Sequence, residues 1–340
     1  MSDSNLVTDD NHSLNKSYRE LHRPSSSFEK REDYLKHELQ IMQPRRWRIN
    51  LPFRDYRFEL EDTIPAMAGT IGKIVMVGAM AAAFAAPLGL GEAFVLENVR
   101  YEMIIAAFFV LIFSSFILPT SNLPGTHGPL LPLIPIVVAA GGHPLAFGVL
   151  IGVFGLILAL VKGGSLMTRL TSNGVAGGLL LYLGFVGLIG QVKKLITWAD
   201  AIGLPHIAFI IILSTIIMYA LLEHWQKRWL AVPIGCMLAG FLAFILGAPF
   251  EFKTEPGLPP LSPMYWWGES TGWTLGLPDL KAFIVVFPFA VLAVAMWTPD
   301  FLGHQVFQKI SYPKHSERTH MSIDDTTITC SLRQMVGPVL

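Results

Sequence analysis

Charge is scarce in this 340-residue chain: only 15% of the residues are charged, against 52% hydrophobic, and the mean hydropathy is +0.49. The charges crowd into the first sixty or so residues and a few short connections, leaving several apolar runs of about twenty residues with one charge or none. Such a pattern excludes an ordinary soluble core and reads as a multi-pass membrane protein. Acid and base balance to a net charge of zero, so nothing in the composition recruits nucleic acid. Cysteine is nearly absent: Cys236 and Cys330 form no spaced pair that reads as a disulfide framework or a zinc site, and both are expected to be packing residues. No HExxH, GxSxG or P-loop pattern occurs, so no cofactor or metal is expected and the chain is not read as an enzyme. Met1 to Asp10 lacks an apolar core, which excludes a cleavable signal there and leaves the first span to direct insertion.

Residues 1–62 are polar at first, then basic and aromatic over Arg45, Arg46, Trp47, Arg48 and Arg54. That mixture suits a tail ending in a segment that lies on an anionic membrane surface. Spanning segments are predicted at 64–88, 102–118, 127–140, 144–161, 174–196, 205–223, 229–247 and 281–308. With the tail in the cytoplasm, Lys162, Arg169, Lys227, Arg228, Lys309, Lys314 and Arg318 fall on the same side, and the connections with Glu92 and Glu97 fall outside. The positive-inside rule therefore supports eight spans.

Two of these spans are predicted to be broken. The first passes through Pro119, Pro124, Gly125, Gly128, Pro129 and Pro132, where no continuous helix is expected. Extended backbone at membrane depth must be enclosed by protein or line a polar cavity, so a half-helix over 127–140 preceded by extended chain at 119–128 points to a binding site at its tip. The second holds Pro288 and Pro299, and between Lys281 and Lys309 its only titratable groups are Asp300 and His304. At about 1.5 Å per residue, Asp300 lies roughly 13 Å inside the Lys309 end, near the middle of a layer roughly 30 Å thick. A carboxylate there needs a partner or water, and His304, four residues on, shares its helix face. Either the pair is a substrate or proton site, or the helix ends at Pro299 with Asp300 capping a second one.

Lys73 interrupts the first span. It either snorkels to the cytoplasmic interface or serves a gating or anion-attracting role. His127 beside the half-helix start either contacts substrate or bonds the broken backbone. The glycines at 174, 177, 178, 184, 187 and 190 are expected to let helices approach closely.

Several of these stretches, taken in order, resemble the superfamily that joins the nucleobase:cation symporters (uracil and xanthine permeases) with the sulfate permease and anion exchanger group. Gly125-Thr-His-Gly-Pro129 with the small-residue run Ala146 to Leu160 is similar to that family's third and fourth spans. Ser165 to Gly178 resembles its amphipathic link and fifth span. Trp273-Thr-Leu-Gly-Leu-Pro278 resembles the lead-in to its eighth. Asp300-Phe-Leu-Gly-His304 resembles the Glu-x-x-Gly-His of nucleobase permeases, and Lys314-His-Ser-Glu-Arg318 the basic loop that follows in sulfate permeases. The resemblance implies an all-α, seven-plus-seven inverted-repeat transporter fold, with substrate contacts at Asp300, His304, Thr126, His127 and Gly128 and proton coupling through Asp300 and His304. It divides the chain into a cytoplasmic tail (1–62), a first repeat (63–248), an extracytoplasmic loop (249–280) and an incomplete second repeat (281–340), as in a truncated permease. Asp stands where the family has Glu, so nucleobase specificity does not carry over.

The function expected is ion-coupled secondary transport of a small anion or nucleobase-like solute. The implied partners are that solute, coupling H+ or Na+, the lipid of a bacterial inner membrane and a possible second copy of the chain. Two other readings stand beside it, a non-transporting fragment or assembly subunit and an intramembrane enzyme. The enzyme would need a second acid or a metal triad beside Asp300 and His304.

Overall fold

The computed structural model describes residues 25–30, 32–34, 36–37, 46–52, 55, 60–121, 130–131, 133–170, 173–225, 227–249, 257–259, 276–311 and 321–336. Among them the chain is all-α. Helix α1 spans Leu60–Leu88, and α2 runs Glu92–Phe109 and continues as a π-helical stretch, Val110–Ile117. The short α3 is Ile134–Ala139, α4 Pro144–Leu160, α5 Gly163–Leu170, α6 Asn173–Ala201, α7 His206–His224 and α8 Ala231–Ile245. Helix α9 spans Leu280–Ser311 and α10 Ile323–Val336.

Among the described residues four helices are long and apolar enough to cross a membrane: Ala66–Leu88, Glu92–Ile117, His206–His224 and Leu280–Gln305; Pro144–Leu160 and Ala231–Ile245 are shorter apolar helices. The chain is thus an all-α membrane protein.

The α1–α2 connection corrects one sequence expectation. The predicted loop through Glu92 and Glu97 is helix, and only Gly89 to Gly91 turns the chain. Gly89 adopts φ +66°, and Leu90 donates to Ala85 O at 2.9 Å, the six-to-one bond that ends a helix when the residue before it is left-handed. Glu92 then opens α2, where a carboxylate favours the helix dipole, and Arg100 neutralises Glu97 one turn away at 2.8 Å.

Helix α9 corrects another. It continues through both Pro288 and Pro299, because a proline removes one rung of the backbone ladder while the turns on either side keep theirs. The predicted break and the alternative of an end at Pro299 are both absent. A short helix does appear where a half-helix was expected, at Ile134–Ala139. Of the segment expected to be extended, residues 119 and 120 form a turn and 121 a bend, and 122–128 lie outside the described residues.

The main core joins Val77 and Phe84 of α1, Ile134 and Val137 of α3, Ile151 of α4 and Val286, Ala290 and Trp297 of α9, all buried. A smaller cluster, Ile207, Ile211, Ala243 and Ala248, holds α7 to α8. Helix α10 packs along α4 and also touches α5, α9 and α2. Its close approach is made possible by α4: a Cβ on Gly155 would sit 2.6 Å from the Trp297 ring, and one on Gly152 would sit 2.8 Å from Ser331 O. Five of the glycines of α6 play no such part. A Cβ at 177, 178, 184, 187 or 190 would meet nothing within 4 Å, so the expected close packing occurs on α4 instead.

Candidate functional site

Helix α10 reads Ile-Asp-Asp-Thr-Thr-Ile-Thr-Cys-Ser-Leu-Arg-Gln-Met-Val, too polar for a lipid-facing span, yet Asp325, Thr326, Thr327, Thr329, Ser331, Arg333 and Gln334 are each 2% exposed or less. Buried polar groups require partners, and the fold supplies them along the helix.

At its start, Ser322 Oγ accepts from the Asp325 backbone N–H at 3.2 Å, an N-cap bond. Asp324 accepts from the Ser165 N–H at 3.2 Å and from the Ser165 hydroxyl. Asp325 accepts from Arg46 Nε at 2.9 Å, from the same guanidinium through Nη2, and from the Thr120 hydroxyl. The hydroxyls of Thr327, Thr329 and Ser331 donate to carbonyls four residues back, at 2.7, 3.1 and 2.6 Å, which satisfies them within the helix.

Arg46 is therefore more than a surface basic residue. Trp47 N–H donates to Ile117 O at 2.9 Å and Asn50 N–H to Phe116 O at 2.8 Å, so this segment caps the end of α2 while Trp47 and Ile49 remain exposed.

Two turns further along α10, Arg333 reaches α2. Its guanidinium donates to both oxygens of Glu102, Nε to Oε2 at 3.3 Å and Nη2 to Oε1. Lys73 Nζ of α1 lies 3.0 Å from the same Oε1. Side-chain exposure is 1% for Arg333, 3% for Glu102 and 17% for Lys73. Lys73 sits thirteen residues from Leu60 and fifteen from Leu88, so at about 1.5 Å per residue it is roughly 20 Å from either end of α1. It stands seven residues into the apolar stretch Ala66–Leu88, and three helices bring opposite charges together there. Cys330, fully buried, lies one turn before Arg333 and within electrostatic range of Lys73. Asn98, one turn before Glu102, is 1% exposed; its amide nitrogen donates to Phe94 O at 2.8 Å, and its buried Oδ1 has no hydrogen-bond partner among the described residues.

Of the sequence-predicted site, Asp300 and His304 are among the described residues. Asp300 is half-buried on α9 and His304 is exposed one turn later. Thr126, His127 and Gly128 lie outside the described residues, as does their expected approach to Asp300. Trp297, one turn before Asp300, is buried and packs on Phe301 with ring centroids 6.0 Å apart. Sequence reasoning missed Glu102 and Arg333. The available signal was the Ser322-x-x-Asp325 cap followed by hydroxyl residues at 326, 327, 329 and 331, which marks a polar helix that must be enclosed.

Among the described residues no three His, Cys, Asp or Glu side chains group as a metal site. What the arrangement offers is a buried ion cluster that joins α1, α2 and α10. No curated protein matches the chain. A family model matches residues 9–340, nearly the whole length, and the chain belongs to that family, described as protein of unknown function (DUF3360).

Proposed function

We propose that the protein is a membrane permease that carries out ion-coupled secondary transport of a small anion or nucleobase-like solute. The observation that carries this reading is the Lys73–Glu102–Arg333 cluster, in which charged side chains from three helices meet, Lys73 and Glu102 standing on helices long and apolar enough to cross a membrane. Ionisable groups within such spans are costly, and they are kept chiefly where solutes or protons pass.

The resemblance of Asp300-x-x-Gly-His304 to the permease motif supports a proton-coupling role for that pair, with Thr126, His127 and Gly128 as further substrate contacts. An inverted-repeat fold, a bacterial inner membrane and a cytoplasmic N-terminus belong to the same reading.

Uptake into proteoliposomes holding the protein tests it, with radiolabelled small anions and uracil as probes under an imposed pH gradient. Accumulation of one probe that collapses when the gradient is dissipated is the expected result. Asp300→Asn removes the titration at constant size and should abolish uphill uptake while preserving exchange. No gradient-dependent accumulation of any probe would overturn the transport reading. Uphill uptake by Asp300→Asn equal to the parent across a pH series would remove Asp300 from coupling.

A further inference from the structure

We propose that Arg48 and Lys162, with Trp47, Ile49, Val161 and Leu166 beside them, form a docking surface for the phosphodiester headgroup of an anionic phospholipid. The inference concerns which lipid the protein takes and does not rest on the transport reading.

Placement is the first argument. The two halves of the surface are far apart in the chain, and specific contacts bring them to one end of the bundle. Trp47 N–H donates to Ile117 O at 2.9 Å, and Ile117 packs on the cluster that holds Ala159 of α4. Lys162 N–H donates to Ala159 O at 3.0 Å. From the same two halves, Arg46 and Ser165 reach adjacent carboxylates, Asp325 and Asp324. Ile117 is the last residue of the apolar span Glu92–Ile117, and Leu160 the last of the apolar helix Pro144–Leu160. The surface therefore stands where hydrocarbon gives way to headgroups.

Backbone conformation is the second. Trp47 has φ +58°, and Lys162, just past the end of α4, has φ +54°. Glycine takes this left-handed conformation without strain and is its usual occupant at a helix end. Gly163 and Gly164 follow Lys162 directly, yet the left-handed position falls on the lysine. An indole and an ammonium are thus held at strained positions, and both are side chains that settle in a headgroup layer.

Charge complementarity is the third. Arg48 and Lys162 are exposed, and so are Trp47, Ile49, Val161 and Leu166. The acids at this end are turned inward: Asp324 is 9% exposed and Asp325 1%. Asp55, partly buried, accepts from Leu51 N–H at 2.9 Å. Basic heads on an apolar ground complement a phosphate on acyl chains. A zwitterionic headgroup brings its own cation against Arg48 and Lys162, so it matches only the apolar part.

The protein in a neutral detergent is melted at rising mole fractions of dioleoylphosphatidylglycerol or dioleoylphosphatidylcholine, and the Tm rise gives an apparent Kd for each lipid by mass action. Phosphatidylglycerol should bind about thirtyfold more tightly at low salt, roughly fivefold for each cation. The preference should vanish near 1 M salt, where charges act over only about 3 Å. Arg48→Gln with Lys162→Gln should erase it and leave phosphatidylcholine unchanged, whereas Trp47→Gly, which suits the left-handed turn, should weaken both lipids alike. Lys193→Gln with Lys194→Gln removes the same charge from exposed residues about 30 Å along α6 from its start, and should change neither lipid. Equal affinity for the two lipids in the parent, a preference that survives 1 M salt, or an equal loss in the Lys193 and Lys194 variant would overturn the surface. Glycerophosphoglycerol, the headgroup without its acyl chains, should not raise Tm at the same concentrations; a rise matching that of the lipid would assign the site to free phosphate esters instead. If the Arg48 and Lys162 double variant does not accumulate, Arg48→Lys with Lys162→Arg takes its place: a preference kept at low salt and lost at 1 M supports the surface, and any other result sinks it.

Discussion

Arg333 and Glu102 stand 231 residues apart in the chain and form a buried, two-pronged ion pair between α10 and α2. The pair explains how a helix as polar as α10 can sit inside a membrane protein. Its guanidinium has a carboxylate, and that carboxylate also holds Lys73.

Removing the carboxylate that Lys73 and Arg333 share sets two buried cations against each other, so Glu102→Gln should destabilise the fold by about 3–5 kcal/mol. The double change Arg333→Met with Glu102→Gln should recover part of that loss. Midpoints of unfolding in detergent, compared across the two single variants and the double one, check the coupling. Additive losses would show that the two side chains act independently.

Glycine contributes in opposite ways on two helices. Gly155 of α4 faces the Trp297 ring and Ser331 of α10, where a methyl group has no room, so Gly155→Ala should cost about 1–3 kcal/mol through overpacking. Gly184 of α6 has nothing within 4 Å of the corresponding position, and Gly184→Ala should raise stability by up to about 1 kcal/mol by restricting the unfolded chain. Paired thermal melts distinguish the two, and a loss at Gly184 matching that at Gly155 would contradict the packing described.

The helices that fill with apolar residues were legible in the sequence: 144–161, 205–223, 229–247 and 281–308 match α4, α7, α8 and α9 to within a few residues. Their hydrophobic length decides them without reference to distant residues. The start of α2 was not legible, because Glu92, Glu97 and Arg100 look like a loop until Arg100 is seen to neutralise Glu97 within the helix. Helix α10 was hidden for a deeper reason. Its polarity is absorbed by Arg46, 279 residues from Asp325, and by Glu102, and no local pattern reports such partners. Asp300 stood out as a lone acid in an apolar run, whereas Glu102 lay at the edge assigned to a span and drew no attention.

Arg46 fastens the segment before α1 to the start of α10. Asp325 is 1% exposed and Arg46 is 51% exposed, so the carboxylate depends on the pair more than the guanidinium does. Arg46→Gln leaves Thr120 and the cap bond at Ser322 in place. The expected outcome is a modest loss of global stability with a several-fold faster tryptic cut after Arg48, since local opening there no longer breaks the bond to Asp325. Unchanged cleavage would show that Trp47 and Asn50 hold the segment unaided.

Sidedness follows from the same contacts. Trp47 and Asn50 bind the carbonyls of Ile117 and Phe116, Ser322 N–H binds Thr120 O at 2.8 Å, and Ser165 binds Asp324, so residues 46–50, 117–120, 165 and 322 gather at one end of the bundle. Arg46, Arg48 and Lys162 belong to that end. The hairpin at Gly89 to Gly91, with Glu92, belongs to the opposite one, as does His143, whose Nε2 lies 3.0 Å from Gly276 O. The positive-inside rule then predicts that the end holding Arg46, Arg48 and Lys162 lies in the cytoplasm. In a background of Cys236→Ser and Cys330→Ala, a cysteine at position 91 should therefore react with an impermeant maleimide in intact cells, and one at position 162 only after the membrane is opened. Labelling at 162 from outside, with 91 protected, would reverse the orientation and place Arg46 and the start of α10 on the outer face.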